Sequence, residues 1–400
     1  MTLISNLFHW SFTYKDLPFQ IISPYDEEQT WLSPWDALDK ALPRPEGRLE
    51  IMSLRNTLLA YWSGDQLNFD LNLRTFEQSI QKRALEHGEQ LRGLQLELLY
   101  NKLHLFFWAR LLYLLTFFLF LAGLITERKW IYHTGWTVIL SALFLHTVGI
   151  VMRIIILSRP PVSTLYETFV FVGFIAAVMG VVIERFHRQW LGLVTSSIAG
   201  CVFLWIASSF AADGDTMKML VAVLNSNFWL STHVTSITIG YAGTCVAGLI
   251  GHVYLLQRAL KPRDTARLKR TYSVLLGALG FALTMTFLGT NLGGIWADQS
   301  WGRFWGWDPK ENGALLIILW TAMTFHAKIA GLIKPFGVAV CSVLGIVPVM
   351  WAWFGVNLLS VGLHSYGFTS GVAMGLVTYV IIQALILAIL IITIKRKERV

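Results

Sequence analysis

From residue 104 onward the chain is built of long apolar runs, and nine of them approach the roughly 20 residues that an α-helix needs to cross a bilayer. They cover 104–125, 132–152, 164–183, 190–210, 229–257, 271–292, 311–332, 336–356 and 370–394. The pattern predicts an all-α polytopic membrane protein with about nine transmembrane helices. The first 103 residues read differently. Pro18, Pro24, Pro34, Pro43 and Pro45 predict an irregular first half, and residues 76–103, rich in Leu, Glu, Gln and Arg, predict an amphipathic helix leading into the first span. Nothing in this stretch carries a catalytic signature. The chain thus divides into a small N-terminal extramembrane segment over 1–103, with the composition of a docking or spacer piece, and a multi-span domain over 104–400.

Composition supports this division. Hydrophobic residues make up 55% of the chain and charged residues 14%, with mean hydropathy +0.56, against about 25% charged in average soluble domains. Most of the chain must face lipid. The net charge of +8 is unevenly placed: residues 1–103 hold 10 Lys+Arg and 14 Asp+Glu, net −4, and residues 104–400 hold 22 and 10, net +12. The basic excess belongs wholly to the apolar part, which excludes nucleic acid as its partner and leaves membrane lipid.

Within that part the basic residues alternate. One set of connections and the C-terminal tail carry Arg128, Lys129, Arg185, Arg188, Arg258, Lys261, Arg263, Arg267, Lys269, Arg270, Lys328, Lys334, Lys395, Arg396, Lys397 and Arg399, 16 in all; the other set carries five, Arg153, Arg159, Lys218, Arg303 and Lys310. The positive-inside rule then puts the C-terminus in the cytoplasm, and the first 103 residues on the periplasmic or outer side of a plasma (inner) membrane. No apolar run near residues 1–30 is long enough for a signal peptide, so export of that segment calls for an upstream piece or a partner.

Two chemistries are excluded. Cys201, Cys245 and Cys341 all lie inside spans, far from one another and without a C-x-x-C pair, which rules out dithiol redox and zinc. No Walker or Rossmann glycine loop is present.

The connection between spans six and seven, residues 293–311, places Trp296, Trp301, Phe304, Trp305 and Trp307 within twelve positions. Two readings are open: an interfacial aromatic belt, or a platform for a large flat apolar ligand such as a porphyrin, with Gly302 and Gly306 admitting a planar surface close to the backbone. The loop ends in Asp308-Pro309-Lys310-Glu311, which spells an N-cap, a proline at the first helical position and a glutamate at the third. Asp308 and Glu311 therefore read as caps of span seven in preference to acid–base groups.

Histidine placement adds to this. His233, at the start of span five, and His364, in the connection after span eight, fall at the same membrane face as the tryptophans. Each is either an interfacial polar residue or, as neutral imidazole, an axial ligand for haem iron. His326 lies 15 residues beyond Glu311, roughly 22 Å inward along a helix, and an intramembrane ionisable residue is a functional candidate by default. His252, near the far end of span five, is at a similar depth. His252 and His146 are equally readable as hydrogen-bonded histidines between helices.

The stretch Trp301-Gly302-Arg303-Phe304-Trp305-Gly306-Trp307-Asp308-Pro309-Lys310-Glu311 resembles the WWD signature of haem-handling proteins, specifically the CcsA (ResC) type of system II cytochrome c biogenesis. Arg153 with Pro160–Glu167, Trp229–His233 with Tyr241-Ala242-Gly243, and Gly355–Leu359 leading to His364–Gly367 resemble the same family, over roughly residues 130 to 394. The resemblance implies that His233 and His364 ligate haem b from both sides on the tryptophan loop. It also implies that His326 belongs to a second haem site in the membrane, whose other ligand comes from a CcsB (ResB) type subunit. The chain shows no CcsB-like half, which leaves His252 as an in-chain candidate on depth alone. The function implied is to carry haem across or to the outer face and present it to apocytochrome c C-x-x-C-H segments for thioether attachment, as part of a haem lyase. Thiol-reducing proteins would keep those cysteines reduced. The alternatives are a haem permease that only delivers, and an unrelated scaffold with an interfacial aromatic loop.

Overall fold

The computed structural model describes residues 21–23, 25, 31–34, 37, 44–86, 93–126, 128–212, 216–217, 226–359 and 372–398. Contacts divide the chain into two compact units, Met1–Glu97 and Leu98–Val400.

In the first unit two antiparallel helices, Pro45–Ser63 and Gln66–Glu86, are joined at Gly64, whose φ of 72° ends the first helix in the left-handed conformation. The helical part thus begins well before residue 76, where the Leu-rich pattern placed it. Buried Glu50 accepts from the Tyr25 hydroxyl at 2.9 Å and from the Arg83 guanidinium. Burial, and then the Glu50 carboxylate, push the Tyr25 phenol up to about 12.

Nine helices among the described residues are long and apolar enough to cross a membrane: Gln95–Thr126, Lys129–Leu157, Leu165–His187, Leu191–Ala211, Asn227–Leu260, Thr265–Trp301, Pro309–Ile329, Pro335–Trp353 and Ala373–Lys397. They are spans one to nine. The protein is an all-α multi-pass membrane protein. Spans one and two, three and four, and five and six pack as neighbouring pairs, as short connections between antiparallel helices require.

Local chemistry sets the ends and breaks of these helices. Thr164 and Glu167 form a capping box at the start of span three. Glu184, buried near its other end, accepts from the backbone N–H groups of Trp190 and Gly192 at 2.8 and 2.9 Å, satisfying donors that open span four. Span eight breaks between Leu344 and Ile346, because the ring of Pro348 conflicts with the carbonyl four residues before it. Span five is the most buried of the nine and span nine the least. Span five is studded with small residues, and a Cβ on Gly240 would meet the backbone of Thr286, so this helix and span six approach to backbone contact.

Candidate functional site

At the end of the bundle where span five begins and span six ends, here the aromatic end, the chain builds a cluster around one imidazole. Span five opens with the short turn Asn227–Trp229, capped by Ser226, and passes through a π-helical turn, Leu230–Val234, before the regular helix Thr235–Leu260. The wider turn re-aims the side chains it carries, and His233 is one of them. Its Nδ1 lies 2.8 Å from the Gly289 carbonyl of span six. A carbonyl only accepts, so Nδ1–H donates and the lone pair of the neutral ring sits on Nε2. Trp296 meets this ring edge-on, 5.8 Å between centres at 61°, and stacks on Trp229 at 6.3 Å and 11°. Trp229 is fixed in turn, its Nε1–H donating to Gln299 Oε1 at 3.0 Å. A Cβ on Gly293 would stand 2.5 Å from His233 Cε1, so the imidazole fills a slot that only glycine leaves open.

The connection expected over 293–311 is shorter in the structure. Span six stays helical to Trp301 and ends at Gly302, whose φ is 69°, so the non-helical part is 302–308. Gly293 and Gly294, which suggested a loop, are held in the helix because their bare Cα positions admit the His233 and Phe304 rings. Trp296 is accordingly a helix residue. Beyond it the Arg303 guanidinium lies 5.8 Å from the Trp301 ring centre, and Trp305 and Trp307 stand perpendicular, 6.1 Å apart. Trp307 has a φ of 58° and is 69% exposed; Phe304 is exposed as well. Exposed aromatic rings at a helix junction suit either the membrane interface or a bound apolar ligand.

Asp308 and Glu311 form the capping box of span seven, with Pro309 at the first helical position. Asp308 Oδ1 accepts from the Lys310 N–H at 3.0 Å. Glu311 does more: Oε2 accepts from the N–H groups of Gly306 and Asp308 at 2.8 and 3.1 Å, and Oε1 takes the Arg303 guanidinium at 2.9 Å. The Gly306 backbone is thereby pinned beside Arg303. Lys310, which the sequence offered only as one of the few basic residues on this side, donates from Nζ to the carbonyls of Trp353 and Ala352 at 2.8 and 3.3 Å. It satisfies the open end of span eight and ties it to the tryptophan loop.

His364 lies outside the described residues. His326 is exposed on the face of span seven that also carries Leu319 and Met323, and its Nδ1–H donates to the Ala322 carbonyl at 2.8 Å. His252 donates likewise to the Gly248 carbonyl at 2.8 Å, while its Nε2 accepts from the Gln383 amide of span nine at 2.9 Å. Iron coordination by His252 requires Gln383 to release that bond. His146 has the opposite tautomer, with Nε2–H donating to the Val170 carbonyl at 3.1 Å and Nδ1 accepting from Tyr113 at 3.2 Å. Both its nitrogens are used between helices.

A buried ion network stands near the start of span three. Arg153 pairs with Glu167 at 3.0 Å and donates to the Thr216 carbonyl at 2.7 Å, and Arg159 lies 3.7 Å from the same carboxylate. The T-x-x-E spacing of Thr164 and Glu167 signals the cap, but no local signal announces that two arginines converge on it.

The family model described as cytochrome C assembly protein matches residues 162–364, a stretch that spans His233, the aromatic loop and His326. The chain belongs to this family. Within it the chain is of the CcsA type. It is 32% identical to protein NrfI of Wolinella succinogenes over 292 residues, 68% of this chain and 31% of NrfI. It is 28% identical to the cytochrome c biogenesis protein CcsA of Guillardia theta over 271 residues, 62% of this chain and 90% of that protein. The CcsA of Chlamydomonas reinhardtii is 31% identical over 217 residues, 52% and 61%. The chain thus spans about a third of NrfI and most of the Guillardia CcsA. Among solved structures, cytochrome c haem lyase CcmF matches with a TM-score of 0.52 and 12% identity, over 73% of this chain and 50% of that one, a likeness of fold.

Proposed function

We propose that this member of the cytochrome c assembly family holds haem b, as substrate, at the aromatic end between His233 and His364, and presents it to the C-x-x-C-H segment of an apocytochrome c. The observation that carries the reading is the fixed tautomer of His233: Nδ1–H is committed to the Gly289 carbonyl, so Nε2 is the basic nitrogen an iron needs, and the bond orients the ring. Trp296, Trp301, Phe304, Trp305 and Trp307, with Gly302 and Gly306, supply an aromatic surface at the same end of the bundle. Asp308 holds that surface as the cap of span seven.

Attachment needs no external oxidant. Each cysteine S–H adds across one haem vinyl group, sulfur bonding to the inner carbon and the proton going to the terminal one. The chain's residues orient the porphyrin and exclude water; the thiols and vinyls supply the reacting atoms. The histidine of the incoming segment displaces one axial imidazole, which couples release to ligand exchange. His326, exposed on span seven, serves an inner haem position whose other ligand comes from a CcsB-type membrane subunit. The loop faces the periplasmic or outer side and the C-terminus the cytoplasm.

Protein purified with its partner from haem-replete cells is expected to show the Soret band of six-coordinate low-spin haem. His233→Ala should shift that band and lower cytochrome c assembly by at least about tenfold, since even outer-shell changes cost 10- to 100-fold. Absence of any Soret band from the wild-type complex overturns the proposal.

A further inference from the structure

At the end of the bundle opposite the tryptophans, the connection between spans five and six meets the last turn of span nine around an open cleft of about 700 Å³. Four cations line it, Lys261 and Arg263 from the connection and Arg396 and Lys397 from the span. None of the four has an ion pair among the described residues. The single carboxylate on the wall, Asp264, is already engaged, accepting from the Arg267 N–H at 3.1 Å as the cap of span six. Four like charges held together by helix ends favour a bound anion.

The positive-inside bias explains the sign of these residues and leaves their convergence unexplained. Arg185 and Arg188 satisfy the same bias without lining the cleft. The remaining walls are apolar, Leu260 and Pro262. Along the two helices that frame the cleft, Leu256 and Leu260 on span five and Ile389 and Ile392 on span nine are exposed within two turns of it. A cationic head with apolar flanks at the ends of membrane helices suits an amphiphile with a phosphate at one end. We propose that this cleft is a binding site for the phosphate headgroup of an anionic membrane lipid.

The placement also says what the lipid does. Span nine buries less of itself than any other span, and it is tied to span five by the His252–Gln383 bond, about two turns from the cleft along span five and between about three and four along span nine. A phosphate bridging Lys261 and Arg263 to Arg396 and Lys397 clamps the same two helices at their ends. This inference is independent of the haem reading.

The test uses the full-length protein, delipidated in neutral detergent, with phosphatidylglycerol, phosphatidylcholine or inorganic phosphate added back. Phosphatidylglycerol should be retained in native mass spectra and should raise the thermal midpoint; phosphatidylcholine and inorganic phosphate at equal concentration should not. The pairs Lys261→Gln with Arg263→Gln, and Arg396→Gln with Lys397→Gln, made separately, should each weaken that retention about 10- to 30-fold, at roughly 1 kcal/mol for each cation near a headgroup. Arg185→Gln with Arg188→Gln should leave it intact. Unchanged retention in both cleft variants, equal loss in the control pair, or full stabilisation by inorganic phosphate would each overturn the lipid site. If one cleft pair fails to fold, the other decides.

Discussion

His233, His252 and His326 share one device: Nδ1–H donates to a backbone carbonyl, which fixes the ring and leaves Nε2 as its basic atom. For His252 and His326 the carbonyl is four residues back on the same helix, a bond any such residue can make. For His233 it belongs to Gly289, 56 positions away on span six, so its orientation depends on the seam between two helices. That seam is what Gly293 protects. Gly293→Ala puts a methyl group 2.5 Å from the imidazole Cε1 and should rotate the ring off its carbonyl, lowering haem retention and cytochrome c assembly by about tenfold, the range for a disturbed orienting partner. Gly277→Ala on the same helix, where a Cβ meets nothing within 4 Å, is the control. It should leave both quantities unchanged, and equal losses in the two variants would mean that helix composition and not the slot is responsible. The histidine was readable in the sequence as a polar residue at a span end. The carbonyl and the slot were not, since nothing local says which helix will lie opposite.

At the level of elements, the sequence announced the starts of helices better than their ends. D-P-x-E at Asp308 is a short-range code read as a cap, and it is a capping box in the structure; T-x-x-E at Thr164 is the same code and forms the same box, though it was not read from the sequence. The end of span six was misplaced because Gly293-Gly294 looks like a break until a neighbour fills the space their side chains would take. The reach of Lys310 to Trp353 and Ala352 was invisible for a similar reason: its partners are carbonyls, which every residue has. Lys310→Met removes the charge, keeps most of the stem, and leaves helix-end carbonyls buried without a donor, a loss of about 1–3 kcal/mol. Thermal unfolding in detergent should show it. Glu311→Ala removes the acceptor of two N–H groups and the Arg303 partner together; a lost cap alone costs about 0.5–2 kcal/mol. It should also lower the quenching protection of the tryptophans, because the loop is no longer pinned at Gly306. Glu311→Gln retains an acceptor oxygen and should fall between the two.

On the scale of the whole molecule, the number of spans came directly from apolar run length, since the bilayer thickness is a fixed ruler. The N-terminal unit was the opposite case: its helical hairpin is held by a small apolar cluster of Ile22, Ala37, Phe76 and Ile80 and by the Tyr25–Glu50–Arg83 network, and no strong period betrays it. Sidedness rests on charge alone, 16 basic residues in one set of connections and the tail against five in the other. Each Lys or Arg near a span end opposes translocation, and a bias of this size predicts one orientation, with the Trp loop outside. In a background with Cys201, Cys245 and Cys341 replaced by alanine, Gln299→Cys on the exposed end of span six should react with a membrane-impermeant maleimide in intact cells, whereas Lys397→Cys should react only after the membrane is opened. Labelling of Lys397→Cys in intact cells would invert the topology. It would also put His233 and its aromatic surface on the side where haem is made, and the outward presentation of haem could not stand.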